Sequence, residues 1–343
     1  MKKILLSIII LLTGSLALLA QPVSQREKEE IFNRAKKLFG EAYYFSQTAT
    51  STIAILDKQW KAGKYKSLTT VDDFIAALGA DLKNTAHDNH LNFFHVSALE
   101  AGNKASEQPA VPWFFFNDKF SNNGLTDLRV LPGEVGYMKV QAFGAIEDIL
   151  PGAFTFLQNT QALIIDLRGN GGGMPSNLLI SYLLPADSIH LLTIYSGKRT
   201  DSVFTFRQLA GPRYLDKPVY LLTAKGSFSS AEEFAYDLQQ LKRVTIVGET
   251  TGGGANPGGA FPLYDLPDGS RIDLFVPTAR VENAISKTNW EGVGVKPDID
   301  VVPEKALNAA HQLALEWLAE HTENKEWKKL YLALRDRIKR EVK

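Results

Sequence analysis

Between Pro218 and Gly259 a strand, a tight turn, a helix and a second strand follow one another directly, an order that a parallel α/β sheet accommodates and few other folds do. Val219 to Thr223 is an apolar run rich in β-branched and aromatic side chains, and Gly226 turns the chain. From Ser230 the apolar residues fall at Ala231, Phe234, Ala235, Leu238 and Leu241, steps of three and four that make one helix face. Val244 to Val247 reads as a second buried strand, and a glycine-rich loop follows it. The turn carries Ser227, Ser229 and Ser230. A helix N-terminus leaves backbone N–H groups unpaired beside a partial positive charge. A serine hydroxyl placed there can attack a carbonyl while the next N–H receives the oxyanion. Ser229 with Glu232 is equally an S-x-x-E capping box, a purely structural use of the same residues.

The same alternation recurs upstream. GEVGYMKV from Gly133 reads as a strand, Ile146 to Leu157 as a helix, and Ala162 to Leu167 as a nearly continuous buried strand, so the fold class is α/β with a mainly parallel sheet and flanking helices. That strand runs into DLRGNGGG, Asp166 to Gly173, at the carboxyl end where open α/β sheets bind ligands. A P-loop lysine and Ser/Thr are missing and the dinucleotide spacing does not fit, which argues against a nucleotide. Asp166 and Arg168 are expected to buttress the loop as a charge pair. Hairpins are expected over Ile189–Phe206 and on either side of Pro267-Asp268-Gly269.

The chain has 343 residues, 45% hydrophobic, with formal net charge zero, so nothing marks it for nucleic acid or an anionic membrane surface. Lys2 and Lys3, the apolar run Ile4 to Leu12 and the small residues up to Ala20 have the pattern of a signal peptide over 1–20, implying an exported protein with no membrane span after cleavage. There is no cysteine, so disulfides and N-terminal lipidation on cysteine are excluded. Residues 21–100 read as a small helical N-terminal domain, 101–132 as a linker with an aromatic cluster Trp113 to Phe116, and 133–343 as the α/β core ending in an amphipathic helical tail from Glu304.

Three of the six histidines, His87, His90 and His95, sit close together after the helical region. Zinc is one use for them, but no H-E-x-x-H accompanies them, and neither metal nor cofactor is expected. The other use is a general base for Ser229, and spacing does not choose among the three. Late in the chain Glu291 lies in NWEGVGVKPDIDV between Trp290 and two glycines, a constrained loop.

Taken together, DLRGNGGG, FSSAEEFAYDL, GETTGGG and NWEGVGVKPDI resemble, in order, the motifs of the C-terminal processing (tail-specific) serine protease superfamily, in particular the branch of the interphotoreceptor retinoid-binding protein modules and the tricorn core protease. The resemblance implies a ClpP/crotonase-like core with Ser229 as nucleophile and an oxyanion hole from the N–H groups of Ser230 and Gly172. The lysine of Ser-Lys relatives is missing, because Gly253, Gly254 and Ala255 occupy its loop; Lys225 and Lys287 fall outside the pattern. Many relatives carry a histidine where this chain has Asn256. Asp88 to Leu91 is similar to the histidine motif of the tricorn-like branch, which nominates His90 as base and Glu291 as its orienter. The family's peptide-tethering PDZ domain has no room between the histidine segment and the first sheet strand.

The implied function is an exported serine endopeptidase that hydrolyses flexible polypeptides or short peptides through an acyl-enzyme on Ser229. The alternative is a non-catalytic binding module for an apolar, retinoid- or fatty-acid-like ligand on the same fold. Thioester hydrolysis is a third use of the same oxyanion hole.

Overall fold

The computed structural model describes residues 21–97, 122–144, 146–197 and 199–341. The expected signal segment and the aromatic cluster Trp113 to Phe116 lie outside them. No helix among the described residues is long and apolar enough to cross a membrane.

Three helices open the fold: α1 (Gln25–Ala42), α2 (Ser46–Lys61) and α3 (Val71–Ala86). Ser24 caps α1 in a capping box with Glu27, and Thr70 caps α3 through the Asp73 N–H, as its T-x-x-D spacing suggests. A short strand, β1 (Asn92–Val96), follows. Next come β2 (Leu125–Leu131), β3 (Val135–Val140), α4 (Leu150–Leu157), β4 (Ala162–Asp166) and α5 (Asn177–Tyr182). The hairpin β5 (His190–Ser196) and β6 (Arg199–Phe204) leads to β7 (Val219–Thr223), α6 (Ser230–Gln240) and β8 (Thr245–Gly248). The chain closes with β9 (Gly258–Asp265), β10 (Arg271–Pro277), β11 (Arg280–Asn283), β12 (Ile299–Asp300), α7 (Pro303–His321) and α8 (Lys325–Glu341).

The main sheet has the order β12-β8-β7-β4-β3-β2, parallel throughout except for the β2–β3 pair. Its four inner strands are apolar on both sides because both faces are covered. Leu163 and Ile165 of β4 meet Phe154, Leu179, Phe234 and Leu238, whereas Ala162 and Ile164 meet Ala310, Ala314 and Leu315 of α7.

Two boundaries differ from the sequence expectation. Residues 101–132 include β2, which the polar alternation of LTDLRVL disguised; it is an edge strand in which Leu125 alone is fully buried. The N-terminal helices do not close a core from residues 21–100 alone. Ile31, Phe32, Phe74 and Leu78 share it with Leu263, Ile272, Leu274 and Val276 of the β9–β10 hairpin, and β1 pairs antiparallel with β10, Phe93 opposite Leu274. The expected helical tail is two helices, separated at residues 322–324, where the Asn324 side chain accepts from the Glu326 N–H at 2.9 Å. Through β9–β10 the helical region is joined to the glycine-rich loop after β8, and that joint carries the site.

Candidate active site

The turn after β7 is held before any chemistry is considered. Ser227, fully buried, donates its hydroxyl to the Leu167 carbonyl at 2.7 Å and accepts from the Ala224 N–H, tying the turn to the end of β4. Ser229 follows with φ 56° and ψ −122°, a left-handed backbone that a non-glycine residue adopts at a cost of about 1–3 kcal/mol. Glycine opposes it: a Cβ on Gly172 would stand 2.7 Å from the Ser229 Cβ. Asp166 and Arg168 do form the expected buttress, with Arg168 Nη2 2.6 Å from Asp166 Oδ2.

Glu232 is what holds the strained turn. Fully buried, its Oε1 accepts from Thr251 Oγ1 (2.5 Å) and the Gly253 N–H (2.7 Å), and its Oε2 accepts from the N–H groups of Ser229 (3.0 Å) and Gly254 (2.8 Å). Burial pushes its carboxyl upward against the pull of these bonds. The capping reading of S-x-x-E is therefore half of the account, since the same carboxylate clamps the glycine-rich loop. Glu232→Gln would turn one oxygen into a donor facing two donors, and we expect it to lower unfolding stability by about 3 kcal/mol in urea denaturation.

His90 lies in the turn between α3 and β1. Asp88 fixes that turn by accepting from the His90 N–H at 3.0 Å and from Tyr43 Oη at 3.0 Å, and Asn89 Nδ2 donates to the Gly252 carbonyl at 3.0 Å. The imidazole packs between Phe228 (ring centroids 4.6 Å) and Phe275 (5.8 Å), and both its nitrogens are buried without a protein partner. Burial first, and the Lys83 charge second, lower its pKa to about 3, so the ring is neutral at physiological pH. Of the other two histidines, His87 ends α3 in a left-handed conformation, and His95 lies on β1 bonded to Asp72 and Ser270. Among the described residues, neither His87 nor His95 joins His90 in a group of ligand-capable atoms.

Glu291 completes the group. Its Oε2 accepts from the N–H groups of Ala255 (2.7 Å) and Asn256 (3.0 Å), while its buried Oε1 has no partner. Burial, then the Asp88 charge, raise its pKa to about 7. The ligand-capable atoms of Asp88, His90 and Glu291 lie within 4.8 Å of one another. Such a set can chelate a cation or place carboxylates beside an imidazole, and both Asp88 oxygens already accept hydrogen bonds. Trp290 Nε1 donates to the Gly254 carbonyl at 2.7 Å and so keeps this loop against the glycine loop.

Ser229, Ser230, His90 and Gly173 line one cavity of about 330 Å³. The Ser230 N–H begins α6, where no helical carbonyl precedes it. The Gly172 N–H, expected from the sequence to face the oxyanion, is instead bound to Asn170 Oδ1 at 2.8 Å. Sequence reasoning missed Asn170; its place in the N-G-G-G run is the available signal. Lys225 and Lys287 are exposed and line no part of this cavity.

A parallel α/β sheet presenting a hydroxyl at a helix N-terminus, with a neutral imidazole in the same cavity, has the architecture of the serine hydrolases as a class. Within that class the chain belongs to peptidase family S41: the pattern described as "Peptidase family S41" matches residues 134–301, and the "N-terminal domain of Peptidase_S41 in eukaryotic IRBP" matches 23–127. It is similar to the chloroplastic C-terminal processing peptidase of Tetradesmus obliquus (30% identical over 185 residues, 50% of this chain and 36% of that protein). It is also similar to the carboxyl-terminal-processing protease of Synechocystis sp. (29% over 184 residues, 52% and 40%). The matched region thus spans about two fifths of those relatives' length. Among solved structures, a lipoprotein from Streptococcus agalactiae shares the fold at TM-score 0.53 and 16% identity, covering 84% of this chain and 96% of that one. The photosystem II D1 C-terminal processing protease does so at TM-score 0.50 and 18% identity, covering 82% and 94%.

Proposed function

We propose that the protein is a serine endopeptidase acting on flexible polypeptides or short peptides. Ser229 Oγ attacks the scissile carbonyl and His90 takes its proton; Glu291 stabilises and orients the imidazolium. The proton then passes to the leaving amine, and a water activated by the same histidine hydrolyses the acyl-enzyme. One oxyanion donor is the Ser230 N–H. The second is assigned to Gly173 rather than Gly172, because Gly173 lines the Ser229 cavity while the Gly172 N–H is bound to Asn170.

The observation that carries this reading is the meeting of Ser229 and His90 in one cavity, from segments far apart in the sequence, with Glu291 beside the imidazole. The N-terminal sequence pattern supports an exported site of action. The apolar-ligand alternative leaves the strained Ser229 and the unpartnered carboxyl oxygen of Glu291 without a use. The test is mass-spectrometric mapping after fluorophosphonate treatment, run beside a peptide-library digest. An adduct on Ser229 together with cleavage is expected. Absence of both, with lipid co-purifying, would favour the binding module.

A further inference from the structure

Ser229 opens into a cavity whose walls are mostly apolar, including Leu192, Ile194, Val203, Phe275, Val281 and Trp290. One acidic residue, Glu233, stands among the described lining residues, and no lysine or arginine does. Glu233 lies one helical turn beyond Ser229 on α6 and so faces the same way. Its Oε1 accepts from Ser176 Oγ at 2.8 Å. One turn further on, Asp237 is wholly buried: its Oδ1 accepts from Asn283 Nδ2 at 2.8 Å and its Oδ2 has no partner.

Two stacked carboxyl groups in an apolar setting repel each other and are costly to ionise together. Burial and the Glu233 charge push the Asp237 carboxyl well above the usual range, and burial raises Glu233. Among the described residues no cation pairs with either. Glu233 is the carboxyl of the pair that reaches the cavity wall, held there by the Ser176 N–H and hydroxyl but by no cation, and an apolar guest would bury it without a counter-charge. A lysine or arginine side chain would not: its methylene stem matches the apolar walls and its head supplies the missing positive charge.

We propose that this cavity receives the substrate side chain on the amino side of the scissile bond, and that Glu233 selects lysine or arginine there. The inference rests on Ser229 being the nucleophile. It is tested with matched peptides carrying arginine, lysine, leucine or glutamate at that position, assayed with wild type and Glu233→Gln. The wild type is expected to prefer the basic residues by about 30-fold or more in kcat/KM. In Glu233→Gln, turnover of the arginine peptide is expected to fall about 100-fold, with leucine turnover changed by less than about threefold. Fluorophosphonate labelling of Ser229 at the wild-type rate shows that the variant is folded. Should it not fold, the preference of the wild type decides alone. A wild-type preference for leucine, or an equal loss on both peptides, overturns the proposal. Calorimetry on Ser229→Ala with an acetylated tripeptide ending in arginine, against its leucine counterpart, separates the two readings. Arginine-selective, Glu233-dependent binding without hydrolysis by wild type keeps the subsite and removes the peptidase. Cleavage without basic preference does the reverse.

Discussion

Alanine at Ser229 and alanine at His90 are each expected to lower kcat for peptide hydrolysis by about 10⁶, with the double variant scarcely worse than either. In the proposed mechanism the two side chains perform one step. A serine hydroxyl near pH 7 is a poor nucleophile until a base removes its proton, and His90 is held neutral by its burial between Phe228 and Phe275. Removing the base leaves a hydroxyl that cannot be activated, and removing the hydroxyl leaves a base with nothing to activate. The backbone donors at the start of α6 remain in all three variants, so a residual rate above water is expected, and KM should move little. Rapid-quench single-turnover assays with unfolding controls check this. Losses that add in the double variant would mean that Ser229 and His90 act separately, and a metal- or water-based route would then have to be sought.

Legibility of the fold followed the range of the interactions that make it. The strand–turn–helix–strand unit around Ser229 and the Asp166–Arg168 buttress were readable because their partners lie within a few residues or within one helix face. The β9–β10 hairpin was readable as a hairpin, but not as part of the N-terminal core, because the Phe93–Leu274 pairing joins positions that no local pattern links. The same distinction runs through the site. A helix N-terminus with a serine announces itself, and the motif order singled out His90 and Glu291. Glu232 was readable only as the acid of the capping box, and Glu233 carried no signal of its own. The first is a fourfold hydrogen-bond acceptor that also clamps the glycine-rich loop, and the second faces a cavity. Gly172 and Gly173 are indistinguishable in a run of glycines, and the Asn170 side chain decides which N–H is free.

Glu291→Gln is expected to cost activity and add stability, and the two effects should separate by pH. In the proposed mechanism ionised Glu291 is the charge that lets His90 accept a proton, since burial leaves the imidazole alone a weak base. Without that charge we expect kcat/KM to fall about 10³-fold. For the wild type the carboxyl must lose its proton first, so activity should rise through an ionisation near pH 7, a limb that Glu291→Gln removes from its residual rate. The stability sign is opposite. Burial raises the folded pKa from 4.5 to about 7, so the folded state holds a proton that the unfolded chain has released. The associated stability is fully present below 4.5 and is lost as pH rises through about 7, because the ionised form is poorly solvated in the cluster. An amide at this position is neutral at every pH, so the variant should match wild type near pH 4.5 and exceed it by about 1–3 kcal/mol at pH 8. Urea denaturation at the two pH values measures this directly. A stability difference independent of pH would show that Glu291 is not held protonated in the fold. An activity limb that survives the substitution would assign the ionisation to another group, with Asp88, its nearest charged neighbour, the first to examine.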